Sequence, residues 1–99
     1  MYARITTSQL KISHVATAAI IWHKAVAEDY KQMNGFQSSY MTADRTCGKC
    51  VVVSFWDTET DARTPNSGGQ FQKTLEALQD SLDESLPVHL EIYEVLAQV

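Results

Sequence analysis

Clustered positive charge is missing from this chain. Its 8 lysines and arginines face 12 aspartates and glutamates, for a net charge of -4, and Lys11, Lys24, Lys31, Lys49 and Lys73 are scattered along it. A surface that tracks nucleic-acid phosphates groups its basic residues so that counterions are released, so no nucleic-acid partner is expected. Long apolar runs are missing too. The longest uncharged apolar stretch, Val15 to Trp22, falls far below the roughly 20 residues that cross a bilayer, and no membrane partner is expected. The opening MYARITTSQL lacks the apolar centre of a secretory signal. A soluble cytoplasmic protein with reduced thiols is the expectation.

Catalytic fingerprints are equally scarce. No Ser-His-Asp order, phosphate-binding glycine loop, HExxH or nucleotide motif occurs, and NSGG at residues 66–69 has two glycines but no lysine. Common hydrolase, NTPase and dehydrogenase mechanisms are thereby set aside. A reaction whose chemistry lives mostly in the substrate is not, and neither a cofactor nor a metal is expected. The only two cysteines, Cys47 and Cys50, share the run TCGKC. A structural zinc takes four nitrogen or sulfur ligands, whereas this pair supplies two, and His14, His23 and His89 have no paired spacing. A redox pair places its first thiol at a helix start, and this run sits between two extended segments. TCGKC therefore reads as a turn, with a four-sulfur site completed across a dimer, or a redox role, as the alternatives.

What the chain does have is ordinary globular composition. Its 99 residues, 44% apolar and 20% charged, are enough for one domain over 1–99 and too few for two. Residues 2–10 read as a strand, and Ser13 as the cap of a helix. Along that helix Val15, Ala18, Ala19, Trp22, Val26, Tyr30 and Met33 recur at three- and four-residue spacing until Asn34-Gly35 stops it. FQSSYMTA at 36–43 and CVVVSFW at 50–56 read as strands joined by a hairpin loop with Gly48. Thr58 and Asp61 make a capping box for a short helical turn limited by Pro65. Ser67 and Gln70 repeat the signal for a helix carrying Phe71, Leu75, Leu78 and Leu82, and a last strand follows Pro87 over 88–98.

The order is βαββαβ, an α+β ferredoxin-like fold with a four-stranded antiparallel sheet and two helices on one face. Its other face is not polar: Val51, Val53 and Phe55 alternate with Val52 and Trp56, and Leu90, Ile92 and Leu96 with Tyr93, Val95 and Ala97. A second subunit packed sheet to sheet is the simplest cover, against the plainer reading of tolerated surface apolarity.

MYARITT, NGF, VVVSFWDTETDA and HLEIYEV, in this order and spacing over nearly the whole chain, resemble the antibiotic biosynthesis monooxygenase (ABM) family of dimeric α/β barrels. The resemblance implies a homodimer whose sheets pack into a barrel, with a pocket in each subunit between sheet and helices. It also implies cofactor-independent oxidation of a phenolic or polycyclic substrate, whose ionised form supplies electrons to dioxygen. Some relatives degrade haem, using an Asn, a Trp and a His where Thr7, Pro65 and Leu75 stand here by ungapped placement, so that branch is not implied. Trp56 matches the family's strand-end Trp.

On this reading His23, beside the apolar stripe, is the catalytic proton acceptor. Thr7 and Tyr93 are hydrogen-bond donors in the substrate pocket, and Trp22, Trp56 and Phe71 are its aromatic wall. Each has a plainer reading, His23 as a half-solvated flank and the aromatics as core. Arg4, expected with Tyr93 on central strands, would bind a substrate anion or pair across the dimer with Glu91 or Glu94. The alternative for the whole chain is a non-catalytic dimeric domain that binds a small hydrophobic or aromatic ligand or serves in stress.

Overall fold

The computed structural model describes residues 1–99. Four strands, β1 (Tyr2–Gln9), β2 (Phe36–Ala43), β3 (Lys49–Trp56) and β4 (His89–Glu94), form one antiparallel sheet in the order β2-β3-β1-β4. Three helices, α1 (Val15–Lys31), α2 (Glu59–Ser67) and α3 (Gln70–Ala77), accompany it. This is the βαββαβ arrangement that the periodicity predicts, with the short turn after Thr58 grown into a helix of its own.

Period-two alternation sorts the sheet. Arg4, Thr6 and Ser8 of β1 share a face with Cys50, Val52, Ser54 and Trp56 of β3, since Arg4 pairs with Ser54, Thr6 with Val52 and Ser8 with Cys50. The helices cover that face. α1 buries Val15, Ala18, Val26 and Tyr30, its apolar stripe, while Ala19 is left exposed. Two clusters result. One joins Leu10, Val15, Ala18, Cys50 and Leu78; the other joins Val26, Tyr30, Trp56 and Ala62. In the second, the Tyr30, Phe36 and Trp56 rings meet pairwise at 5.2–5.8 Å between centroids, in edge-on or tilted geometry.

Several local expectations are corrected. Ser13 does not cap α1; it lies in a 3₁₀ turn, Ile12–His14, that leads into the helix, whose first position is flanked by His14 without a side-chain cap. Thr58 does cap α2, its hydroxyl accepting from the Asp61 amide at 3.0 Å. Pro65 does not limit that helix, which runs through it to Ser67 with the proline ring buried. Ser67 consequently ends α2, donating to the Thr64 carbonyl at 3.2 Å, and Gly69 at φ 86° begins α3. β4 stops at Glu94 instead of running to residue 98, and it is an edge strand, so Tyr93 is not central.

TCGKC closes the β2–β3 turn, and its last two residues, Lys49 and Cys50, begin β3. The Gly48 amide bonds the Asp44 carbonyl at 2.7 Å, the Asp44 amide bonds the Lys49 carbonyl at 2.8 Å, and the Gln9 side-chain amide donates to the Cys47 carbonyl. Cys47 is exposed while Cys50 is buried on the helix side, so the two thiols occupy different environments.

Candidate functional site

Between the helix-side face of the sheet and α3 lies a cavity of about 40 Å³. Its floor carries a polar strip, Arg4, Thr6 and Ser8 at consecutive same-face positions of β1 with Ser54 opposite Arg4, beside the apolar Val52 and Cys50 opposite Thr6 and Ser8. Its roof is Phe71 and Leu75 of α3 with Leu78 at the helix's C-cap, spaced four and three apart so that they face one way, and Trp22 and Tyr30 of α1 close one side. The lining contains one cation, Arg4, and no Asp, Glu or His.

Arg4 is 3% exposed. Its Nη1 donates to the Ala62 carbonyl of α2 at 3.0 Å, and the Phe71 ring sits 5.0 Å from Cζ. Its Nη2 is buried and has no hydrogen-bond partner. No carboxylate compensates it: the ion pairs of the molecule, Arg63 with Glu59 at 2.8 Å and Lys73 with Asp29 at 3.4 Å, are on the surface. Glu91 lies across the sheet, where it accepts from the Tyr93 hydroxyl, and Glu94 is exposed. Burial pulls the guanidinium's pKa down, with Tyr30 opposing, and burial raises the Tyr30 pKa against the pull of Arg4. A charge held this deep with no carboxylate to compensate it costs several kcal/mol, which the Ala62 carbonyl and the Phe71 ring offset in part. Close by, Ser54 accepts the Trp56 indole N–H at 2.9 Å, which leaves the serine's own hydrogen to donate. Burial also raises the Cys50 thiol, with the Ser8 hydroxyl pulling the other way.

Of the residues singled out in the sequence, the structure brings Trp22 and Phe71 together at this cavity. Trp56 is fully buried behind it, against Tyr30 and Phe36, as core. Thr7 pairs with Val51 and His89, which puts it on the opposite face of the sheet from Thr6 and Ser8; Tyr93, paired with Ala3, is on that far face too. The donors expected at these two positions are therefore outside the cavity, because strand alternation sends odd and even residues of β1, each with its cross-strand partners, to opposite sides. His23 is exposed and lines an outer groove of about 270 Å³ between α1 and β2, where Trp22 and Tyr30 again form part of the wall. Arg4 was legible as a charged residue on a strand; Thr6, Ser8 and Ser54 were missed, although they recur at period two from Arg4 and its partner.

No protein-family model matches the chain, and no curated protein matches it in sequence. Solved structures do match. A monooxygenase from the gene ActVA-Orf6 of Streptomyces coelicolor, in complex with nanaomycin D, aligns over 99% of this chain and 89% of its own with a TM-score of 0.81 and 15% identity. A Nitrosomonas europaea protein described as an antibiotic biosynthesis monooxygenase aligns over 98% of this chain and 100% of its own, with a TM-score of 0.77 and 15% identity. A second protein of that organism, of unknown function, covers 99% and 91% at a TM-score of 0.74 and 19% identity. At such identities the likeness establishes the fold. The resemblance read from the sequence thus holds for the fold, and no helix is long and apolar enough to cross a membrane.

Proposed function

We propose that this chain is an ABM-type domain, residues 1–99, that binds a small aromatic ligand between its sheet and α3 and works as a homodimer. The observation that carries the reading is the cavity, with an apolar roof and an aromatic side in the place where the resemblance implies a pocket. Its resting volume of about 40 Å³ means that the lining must give to admit any ring, and by less for one ring than for a polycyclic body. A larger ligand needs the cavity joined to the outer groove by displacing Trp22 and Tyr30, which line both.

The dimer reading rests on the far face of the sheet. Ile5, Val51, Val53 and Phe55 are only half-buried there, flanked by Tyr40 and Tyr93 at 57% and 52% exposure. Two such faces packed together remove this apolar surface from water. Native mass spectrometry of the purified protein is expected to give about twice 11.1 kDa with a retained small aromatic compound. Val53→Lys, which sets a charge in the middle of that face, is expected to sediment as one subunit at micromolar concentration. A wild-type protein that is monomeric there removes the dimer from the reading.

A second reading is cofactor-independent monooxygenation, supported by the resemblance and by the fold shared with a monooxygenase solved with a ligand. The methylene carbon of an anthrone-type substrate would become a carbonyl. One atom of dioxygen enters that carbonyl, the other leaves as water with the two methylene hydrogens, and the substrate supplies all the electrons. The absence of Asp, Glu and His from the cavity lining, with His23 opening on the outer groove, favours binding without turnover. Oxygen uptake with an anthrone-like phenol is expected to stay at the buffer rate. Uptake above it that disappears in His23→Ala would install the second reading.

A further inference from the structure

We propose that Arg4 is the anion receptor of this cavity, and that the ligand presents one oxyanion, carboxylate or phenolate, to its Nη2 with an apolar body beneath α3. The inference rests on reading the cavity as a ligand site and adds the charge of what enters it.

The geometry leaves few alternatives for the guanidinium. It is 3% exposed, it is the only cation in the lining, and no carboxylate lines the cavity with it. Nη1 is held by the Ala62 carbonyl, which fixes the plane of the group, while Nη2 keeps its N–H donors unpaired. A planar fork anchored at one end is suited to a second oxygen acceptor at the other. The groups beside it are donors as well. Ser54, the cross-strand partner of Arg4, has a hydroxyl hydrogen free of its indole contact, and Thr6 is the next residue on the same face of β1. One cation with the Ser54 and Thr6 hydroxyls beside it, set in a lining that is otherwise mostly apolar and roofed by Phe71, Leu75 and Leu78, matches a ligand with a negative head and an apolar body.

The competing account makes Arg4 a brace that ties β1 to α2 through Ala62 and stacks on Phe71. A brace has no preference for the charge of a ligand. The test therefore titrates the full chain by NMR with benzoate and benzamide, alike in shape and different in charge, and with 4-nitrophenol above and below its own ionisation. Wild type is expected to bind benzoate or ionised nitrophenol at least about tenfold more tightly than the neutral counterpart, the scale of a charge-assisted hydrogen bond in a dry site. Arg4→Met is expected to bring charged and neutral probes to about equal affinity, and Arg4→Lys to keep part of the preference. Arg4→Met is also expected to melt no lower than wild type, because the uncompensated charge goes with the side chain. Should that variant fail to fold, the wild-type charge preference and the Arg4→Lys comparison decide the matter.

Equal affinity for charged and neutral probes in wild type overturns the anion inference and leaves the cavity reading standing. Failure of all the probes to bind overturns the cavity reading and the inference with it. Preference for benzoate or for ionised nitrophenol supports the inference and identifies which oxyanion the site takes.

Discussion

Trp56→Ala is expected to be the most damaging single substitution in this chain, with a loss of about 3–5 kcal/mol. The residue is fully buried, its ring contacts Tyr30 and Phe36 at centroid distances of 5.7 and 5.2 Å, and its indole N–H bonds Ser54 at 2.9 Å. Truncation leaves a void the size of an indole at the meeting point of α1, β2 and β3, and it frees a wall residue of the cavity, Tyr30, to move. For a domain whose total stability is about 5–15 kcal/mol, that brings many molecules to the edge of unfolding at ambient temperature. Urea titration checks it: at an m-value of about 2 kcal/mol/M the midpoint should fall by roughly 2 M. Trp56→Phe retains most of the packing and gives up the bond to Ser54, so its loss should be well under half as large. Equal losses in the two variants would mean that the hydrogen bond, and not the filled volume, dominates.

Gly48→Ala is expected to cost about 2–4 kcal/mol, from two causes that can be separated. The residue has φ +82°, which an L side chain adopts with strain, and a Cβ there would lie 2.2 Å from the Leu10 carbonyl oxygen. Leu10 is itself buried and donates its amide to the Gly48 carbonyl at 2.8 Å, so the turn has nowhere to retreat without breaking the end of β1. Gly69→Ala is the internal comparison. Its φ is +86° with nothing within 4 Å of the new methyl, so it should carry only the conformational cost of about 1–2 kcal/mol. Thermal or urea unfolding of the pair measures the steric share as the difference. A Gly48→Ala loss no larger than that of Gly69→Ala would show that the turn can yield.

The architecture was legible because hydrophobic period changes with element type along the chain. Four- and three-residue spacing from Val15 to Tyr30 marks α1, and β-branched runs mark β1 and β3. The helix starts were less legible, since a hydroxyl in the right place signals a cap only if its own backbone is extended. Thr58 meets that condition, whereas Ser13 lies within a 3₁₀ turn and Ser67 is still helical. Pro65 shows the same limit from the other side, because burial of its ring is a tertiary fact. Of the proposed pocket residues, Trp22 and Phe71 line the cavity, while Thr7, at an odd position of β1, is on the other face of the sheet. Parity along β1 held the needed information: a charged residue turned toward the helices implies that Thr6 and Ser8 turn with it. That no carboxylate of its own chain meets Arg4 was beyond sequence reading, because only the register places Glu91 on the far face of the sheet and leaves Glu94 exposed.

The α3 roof is an eight-residue helix whose N-cap is Gly69, without a side-chain cap, next to Gly68 at the end of α2. The space beneath it, about 40 Å³, holds a few water molecules at roughly 10–15 Å³ each and no aromatic ring. On the proposed binding role, entry of a ring requires this lining to give, at the α3 roof that the glycine pair precedes or at the Trp22 and Tyr30 side. The association rate should for that reason track the fraction of time the lining stands open, and saturate as ligand concentration rises, while residence is governed by how firmly it closes again.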